Sequence, residues 1–409
     1  MRACLALSLG LSVFITACSG WTEMIRSNGD HCPEREASAP QIIETTRVEA
    51  RDWIEMTVFT GRSGREGLAV LSYPTGPASV QGRTFLYDQA LAILWYTWVG
   101  EVQTAKRLAT TLIDVQMANG AWGFSFQAQG EQFYDRRYVR TGAVAWAAWA
   151  LAYYGDTIGD GQAVEAALEA LKFLDTKRID AQGNQNHELY TAGLGYHDPQ
   201  TGQRTLGVPL DFVVTEHQLD IHMVLATFHR ARAEALAERV VDRLWIEEEG
   251  RFAVGAHGEE LDRRRALDAA GGWGALWLLS VGQTELARQS LGYTVAHFGA
   301  DRYGGYVPYL DEIDEYDPQE EVVFVEGSLG VALAALRLGE PDLARQILLG
   351  TAQLGCDGGP GIPYADRRRG SFADTPALAP TIWFLMVERE MRTGKRAPVF
   401  LPASLDVLQ

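Results

Sequence analysis

The sequence is poor in cysteine and in positive charge, and beyond its first residues it has no long apolar run. Four cysteines occur in 409 residues, so a dense disulfide framework is excluded as the basis of the fold. Lys and Arg number 36 against 53 Asp and Glu, a formal charge of −17. So acidic a chain repels nucleic acid and anionic lipid, and neither is expected as a direct partner. No glycine-rich phosphate loop, zinc-ligand spacing or nucleophile-elbow motif occurs, so no cofactor and no metal is expected. His217, Asp220 and His222 look like ligands at first sight, yet positions 217 and 222 of a helix lie about 140° apart and cannot share one ion.

The apolar run at residues 3–14 follows Arg2 and is too short to span a bilayer, so it reads as a targeting segment. Ile15, Thr16, Ala17 and Cys18 resemble the lipobox of bacterial lipoproteins. The resemblance implies a signal peptide over residues 1–17, lipidation of Cys18 and anchorage in a bacterial cell envelope. Ser19 then favours the outer membrane, on its periplasmic side or at the cell surface. Residues 18–38 are polar and of mixed charge, a tether. Removal of the leader leaves Cys18, Cys32 and Cys356, of which the last two could pair outside the cytosol. Residues 39–409 show no linker-like interruption and read as one domain, with 47% hydrophobic residues to build its core.

That domain repeats a helical hairpin. Residues 326–338 are small or apolar around the whole circumference, the mark of a helix buried on every side. Gly339 ends it. Residues 341–354 then show a single apolar stripe, so this second helix covers the first. GEPDLARQ at Gly339 matches GQTELARQ at Gly282 and GEVQTAKR at Gly100, and self-similarity of this kind marks a repeat architecture. Buried helices are predicted at 88–99, 141–154, 216–230, 268–281, 326–338 and 375–391. One-striped partners are predicted at 101–115, 162–174, 233–245, 284–298 and 341–354. The sixth buried helix lacks a following partner. An amphipathic segment at 39–59, with Ile42, Ile43, Ala50, Trp53 and Ile54 on one side, can fill that place and close a ring. Open solenoids need polar end caps, which these helices lack.

This pattern resembles the six-hairpin glycosidase superfamily, an all-α (α/α)6 toroid of six inner and six outer helices. The resemblance covers nearly all of residues 39–409 and implies a carbohydrate substrate. It also implies an active site where the N-termini of the inner helices meet, and an inverting course for hydrolysis. Acidic residues stand at or just before five of those six starts: Asp88, Glu216, Asp268, Glu326 and Asp374. Each alone could simply cap its helix. Five on one rim would repel, raising the pKa of at least one and preparing a general acid beside an ionised base. Glycosidic cleavage needs such a pair. Glu216, in VVTEHQL, and Glu326, in VFVEGSL, lead the set for their reach and apolar setting.

Aromatic residues in the loops before the inner helices suit the apolar face of a sugar ring. Trp122, Tyr138, Trp273, Tyr306 and Tyr364 are the candidates, with Arg140 and His217 as polar contacts. QMANGAWGF, from Gln116, also resembles a terpenoid-cyclase spacing, and reads here as a turn packing Trp122. Three runs, Asp135 with Arg136 and Arg137, Asp262 with Arg263 to Arg265, and Asp366 with Arg367 to Arg369, either pair internally or clamp an anionic glycan. The leading function is therefore a lipid-anchored glycoside hydrolase. The alternatives are a polysaccharide lyase or sugar epimerase, with Tyr138, Arg140 and His217 available to a lyase, or a non-catalytic glycan-binding envelope lipoprotein. Sugar, linkage and oligomeric state are not encoded in any motif.

Overall fold

The computed structural model describes residues 37–59, 67–128, 136–198, 203–313 and 316–401. The predicted lipobox with Cys18, most of the tether, Cys32 and Asp135 lie outside them. Cys356 is a half-buried free thiol.

The inner helices are α2 (Leu86–Val99), α4 (Thr141–Ile158), α6 (Thr215–Phe228), the pair α8 (Leu267–Ala270) and α9 (Gly272–Ser280), α11 (Val325–Arg337) and α13 (Leu378–Thr393). The outer helices are α1 (Ala39–Thr57), α3 (Val102–Val115), α5 (Gly161–Asp175), α7 (Arg230–Leu244), α10 (Thr284–His297) and α12 (Pro341–Gly358). Each inner helix packs on the next, and α13 packs on α2, which closes the ring. Helix α1 lies against α12 and α13 and supplies the missing sixth partner. This is the (α/α)6 toroid.

Local sequence explains the alternation. Helix α4 buries residues on every side, Val144 to Ala148 in unbroken succession, whereas α3 buries Ala105, Leu108, Ala109, Leu112 and Val115, one stripe at helical spacing. The hinge glycines Gly100, Gly282 and Gly339 all adopt left-handed backbone, the conformation that ends a helix without Cβ strain. In the third hairpin His229 makes the link at a negative φ of −144° instead, which is why no glycine marks it.

Three expectations need correction. The fourth inner helix is not continuous: it breaks at Gly271, which presses on Thr294 of α10. There α9 approaches α11 so closely that a Cβ on Gly272 would stand 2.7 Å from the Gly330 carbonyl carbon. The sixth begins at Leu378 rather than residue 375, because Pro376 holds Thr375 out of helical conformation. The stretch before it is extended instead, with Thr375 accepting from the Tyr364 amide.

The third correction concerns the loops, which carry short strands that the sequence reading lacked. Arg83–Phe85 pairs with Ser125–Gln127, Val139–Arg140 with Gly193–His197, and Phe212–Val214 with Gly255–His257. Single bridges continue from Ala266 to Tyr309 and from Phe324 to Ala365. The Leu378 amide donates to Ser72, so each loop is stitched to its neighbour around the mouth. This collar sets the height at which every inner helix starts.

Candidate active site

Because the inner helices start together, side chains in their first turns converge. Asp88, Glu216, Asp268 and Glu326 occupy the second or third residue of α2, α6, α8 and α11. Asp220 joins them one turn into α6, on the same face as Glu216. Gly142 makes room for it: a Cβ there would stand 2.7 Å from Asp220 and 2.5 Å from His217.

The surroundings favour the neutral carboxyl. Burial lifts Asp88 to about 7, against a hydrogen bond from Ser72. Burial also lifts Glu216 to about 7. Glu326 rises to about 8 through burial, with the nearby Asp88 and Glu216 adding to it. Asp220 and Asp268 go well above the usual carboxylate range, first from burial and then from the other acids of the cluster. Several negative charges in one dry space cannot all persist, so at neutral pH the cluster holds protons. These protons are available for transfer.

Hydrogen bonds then distinguish the members. The Tyr87 hydroxyl donates to Glu326 at 2.6 Å and accepts from the Trp383 indole at 2.7 Å. That chain aims a donor at Glu326 and favours its ionised form. Trp146 stands near enough to Asp220 to lower it against the effect of burial, and packs edge-on against Tyr87 and Trp383. Asp268 Oδ1 and the Trp273 indole nitrogen are both buried without a hydrogen-bond partner, in a structure where such atoms are normally satisfied. Trp273 flanks Tyr87 and Trp383, so both open valences face the same region.

Against Glu216 lies a cavity of about 620 Å³, lined also by Tyr138, Arg140, His257 and Tyr309. Its volume suits a small ligand. The Arg140 guanidinium lies 4.0 Å from the Tyr138 ring centre and donates to the carbonyls of Leu194 and Gly195. His217 contacts Thr141 Oγ1 through Nδ1 at 3.0 Å. Burial and the neighbouring Arg140 lower it to about 3, so it is uncharged at neutral pH. Tyr364 stacks on Phe372 and feels the charges of Glu326 and Asp268, which places it beside the cluster.

Three predicted members belong elsewhere. Asp374 is exposed and precedes α13 by four residues, apart from the other acids. Trp122 is fully buried and donates to the Leu112 carbonyl; Gln116 bonds the Gly120 and Ala166 carbonyls. The turn that packs Trp122 therefore stands, and its sugar-binding role does not. Tyr306 is 5% exposed, and the acid whose charge it feels is Glu340, at the start of an outer helix. It belongs to the wall. The arginines of these runs are largely paired, Arg264 with Asp262 and Arg367 with Asp366 inside their own runs, and Arg265 with Asp311, Arg263 with Glu248 and Arg369 with Glu320 outside them. Arg136 and Arg137 are not free either.

Sequence reasoning missed Tyr73, Tyr87, Trp146, Asp220 and Trp383. Tyr87 adjoins Asp88, and Asp220 follows Glu216 by one turn, so both were open to a helix-face count. Trp146 and Trp383 look like any core tryptophan. Tyr73 feels the charges of Asp88 and Glu326 from a loop with no helical register.

Fold and site together define an α/α toroid whose mouth is lined by proton-holding acids and aromatic rings. Among solved structures the chain resembles a glycosidase variant in complex with glucose, with 12% identity, 88% of this chain and 98% of that one covered, and a TM-score of 0.62. It also resembles cellobiose 2-epimerase from Spirochaeta thermophila, at 15% identity, 88% and 99% coverage and a TM-score of 0.62. A D-mannose isomerase aligns at 10% identity, over 89% and 99% of the two chains, with a TM-score of 0.61. At these identities the likeness establishes the fold. No protein-family profile and no curated sequence matches the chain.

Proposed function

We propose that the protein is a sugar-acting enzyme that cleaves a glycosidic bond by carboxyl general acid and base catalysis. The observation that carries this reading is the pair Glu216 and Glu326, at the starts of inner helices separated only by α8 and α9 and close enough for one to raise the other. Glu216 lines the cavity and holds its proton near neutrality, so it is the candidate acid to protonate a leaving oxygen. Glu326, which Tyr87 holds by a hydrogen bond, is the second carboxyl of the pair. Asp268 Oδ1 and the Trp273 indole would be satisfied by sugar hydroxyls. Arg140, which among the described residues has no acid partner, is where an anionic group on the glycan would dock.

A second reading is sugar epimerisation or isomerisation. Neutral His217 could act as a base, and structures of an epimerase and an isomerase share the fold. The five acids gathered at the helix starts favour the hydrolase.

A screen of the protein against a glycan panel in H₂¹⁸O separates these readings. Hydrolysis releases two smaller sugars, one labelled at its new reducing end. Epimerisation conserves mass and, in D₂O, exchanges a carbon-bound proton; lyase action leaves an ultraviolet-absorbing unsaturated uronyl end. Binding without turnover, unaltered by Glu216→Gln and Glu326→Gln, would instead support a glycan-binding lipoprotein. Cys18 lipidation is part of the same proposal and is checked by mass spectrometry of the mature N-terminus.

A further inference from the structure

The end of the described chain does not hang free at the base of the toroid. After α13 the chain turns at Gly394, in left-handed backbone, and runs back into the ring. Ala397, Val399 and Phe400 are all but fully buried. Arg337, at the end of α11, pairs with Glu390 in a nearly dry setting and donates to the carbonyls of Ala397, Val399 and Phe400. Glu390 in turn accepts from the Ala397 amide. Trp149 donates to the Pro398 carbonyl, and the Phe400 amide points at the Met223 sulfur at 3.4 Å. Phe400 itself is held at a φ of 48°, unfavourable for a side chain with a Cβ and tolerated where its surroundings fix it.

The partners of Phe400 reveal how far the segment penetrates. Met223 lies eight residues into α6, about 12 Å from its first residue. It stands three residues beyond Asp220 and therefore directly beneath it on the same face. The Phe400 ring meets Trp146 edge-on at 6.0 Å. Trp146 is the indole that packs on Tyr87, the donor to Glu326, and that stands beside Asp220. One ring therefore floors the candidate active site from the side opposite its mouth.

We propose that Phe400 is a positioning residue: inserted from the base, it props Trp146 so that the indole stays beside Asp220 and buttresses Tyr87. This rests on the hydrolase reading. Removal of the ring by Phe400→Ala leaves space into which Trp146 can tilt, and the two acids lose their fixed geometry. Phe400→Leu restores part of the support. Leu348→Ala, a comparable loss in outer helix α12, controls for destabilisation alone.

The test follows the near-UV circular dichroism band of Trp146, assigned by Trp146→Phe, beside kcat, KM and the pH profile on the glycan found by the screen. The expected result for Phe400→Ala is loss of that band and a fall in kcat of about tenfold to a hundredfold at nearly unchanged KM. The acid limb of the profile should move upward, since Asp220 loses the indole that lowers it. Phe400→Leu should recover much of both signals, and Leu348→Ala should alter neither. A band that survives in Phe400→Ala overturns the contact. Loss of the band with an unchanged kcat and profile overturns the positioning role but leaves the hydrolase standing. A parent protein that turns over no glycan overturns both.

Discussion

Replacing Glu326 by glutamine should make the protein more stable, by an amount that grows as pH rises from about 5 to 8. The carboxyl has an ordinary value of 4.5 and stands at about 8 in the fold. Between those values the folded chain keeps a proton that the unfolded chain has released. Its contribution is therefore greatest below pH 4.5 and is lost as pH rises through 8. At 1.36 kcal/mol per pH unit that window corresponds to about 5 kcal/mol for Glu326 titrating alone. Tyr87 can still donate to the amide oxygen of glutamine, so the hydrogen bond survives. Urea unfolding at pH 5 should show parent and Glu326→Gln within about 1 kcal/mol. At pH 8.5 the variant should gain roughly 2 to 5 kcal/mol, and its midpoint should depend less on pH. An equal loss of stability at both pH values would refute the reasoning, because it would mean that Glu326 ionises as an exposed glutamate does.

Glu216→Gln should lower kcat by about 10²- to 10⁴-fold with KM little changed, as for loss of a general acid, measured in steady-state assays on the identified glycan. Tyr87→Phe removes a donor to Glu326, so the acid limb of kcat against pH should move up by about one to two pH units. Trp122→Ala should cost about 3 to 5 kcal/mol in denaturant unfolding while KM stays near that of the parent, since Trp122 is core. Asp374→Asn should leave kcat/KM within a few-fold, and a loss of a hundredfold would return Asp374 to the cluster.

Much of the toroid was legible because the two helix types differ in what they bury. An inner helix such as α4 has no polar face to show, and an outer one such as α3 has a single stripe. Neither depends on distant partners for its pattern. The break at Gly271 was not legible, because it arises from contact with Thr294 and Gly330, which lie on other helices. The strands of the collar are too short to show alternation, and their pairing is fixed by the ring. In the site, acids at helix starts were readable from position alone. Trp122 was misplaced because an indole in a loop looks the same whether it meets a sugar or the Leu112 carbonyl. Asp220 was hidden by its two histidine neighbours, which drew attention to metal ligation.

The course of α1 fixes where the described chain enters the toroid. Its nineteen residues end at Thr57 beside the collar, where Val58 pairs with Val70, so it begins at Ser38 at the far end, about 28 Å away. Residue 37 therefore lies at the same end that Phe400 seals. Both described termini gather at the floor, and the rim around the acids is left to the loops alone.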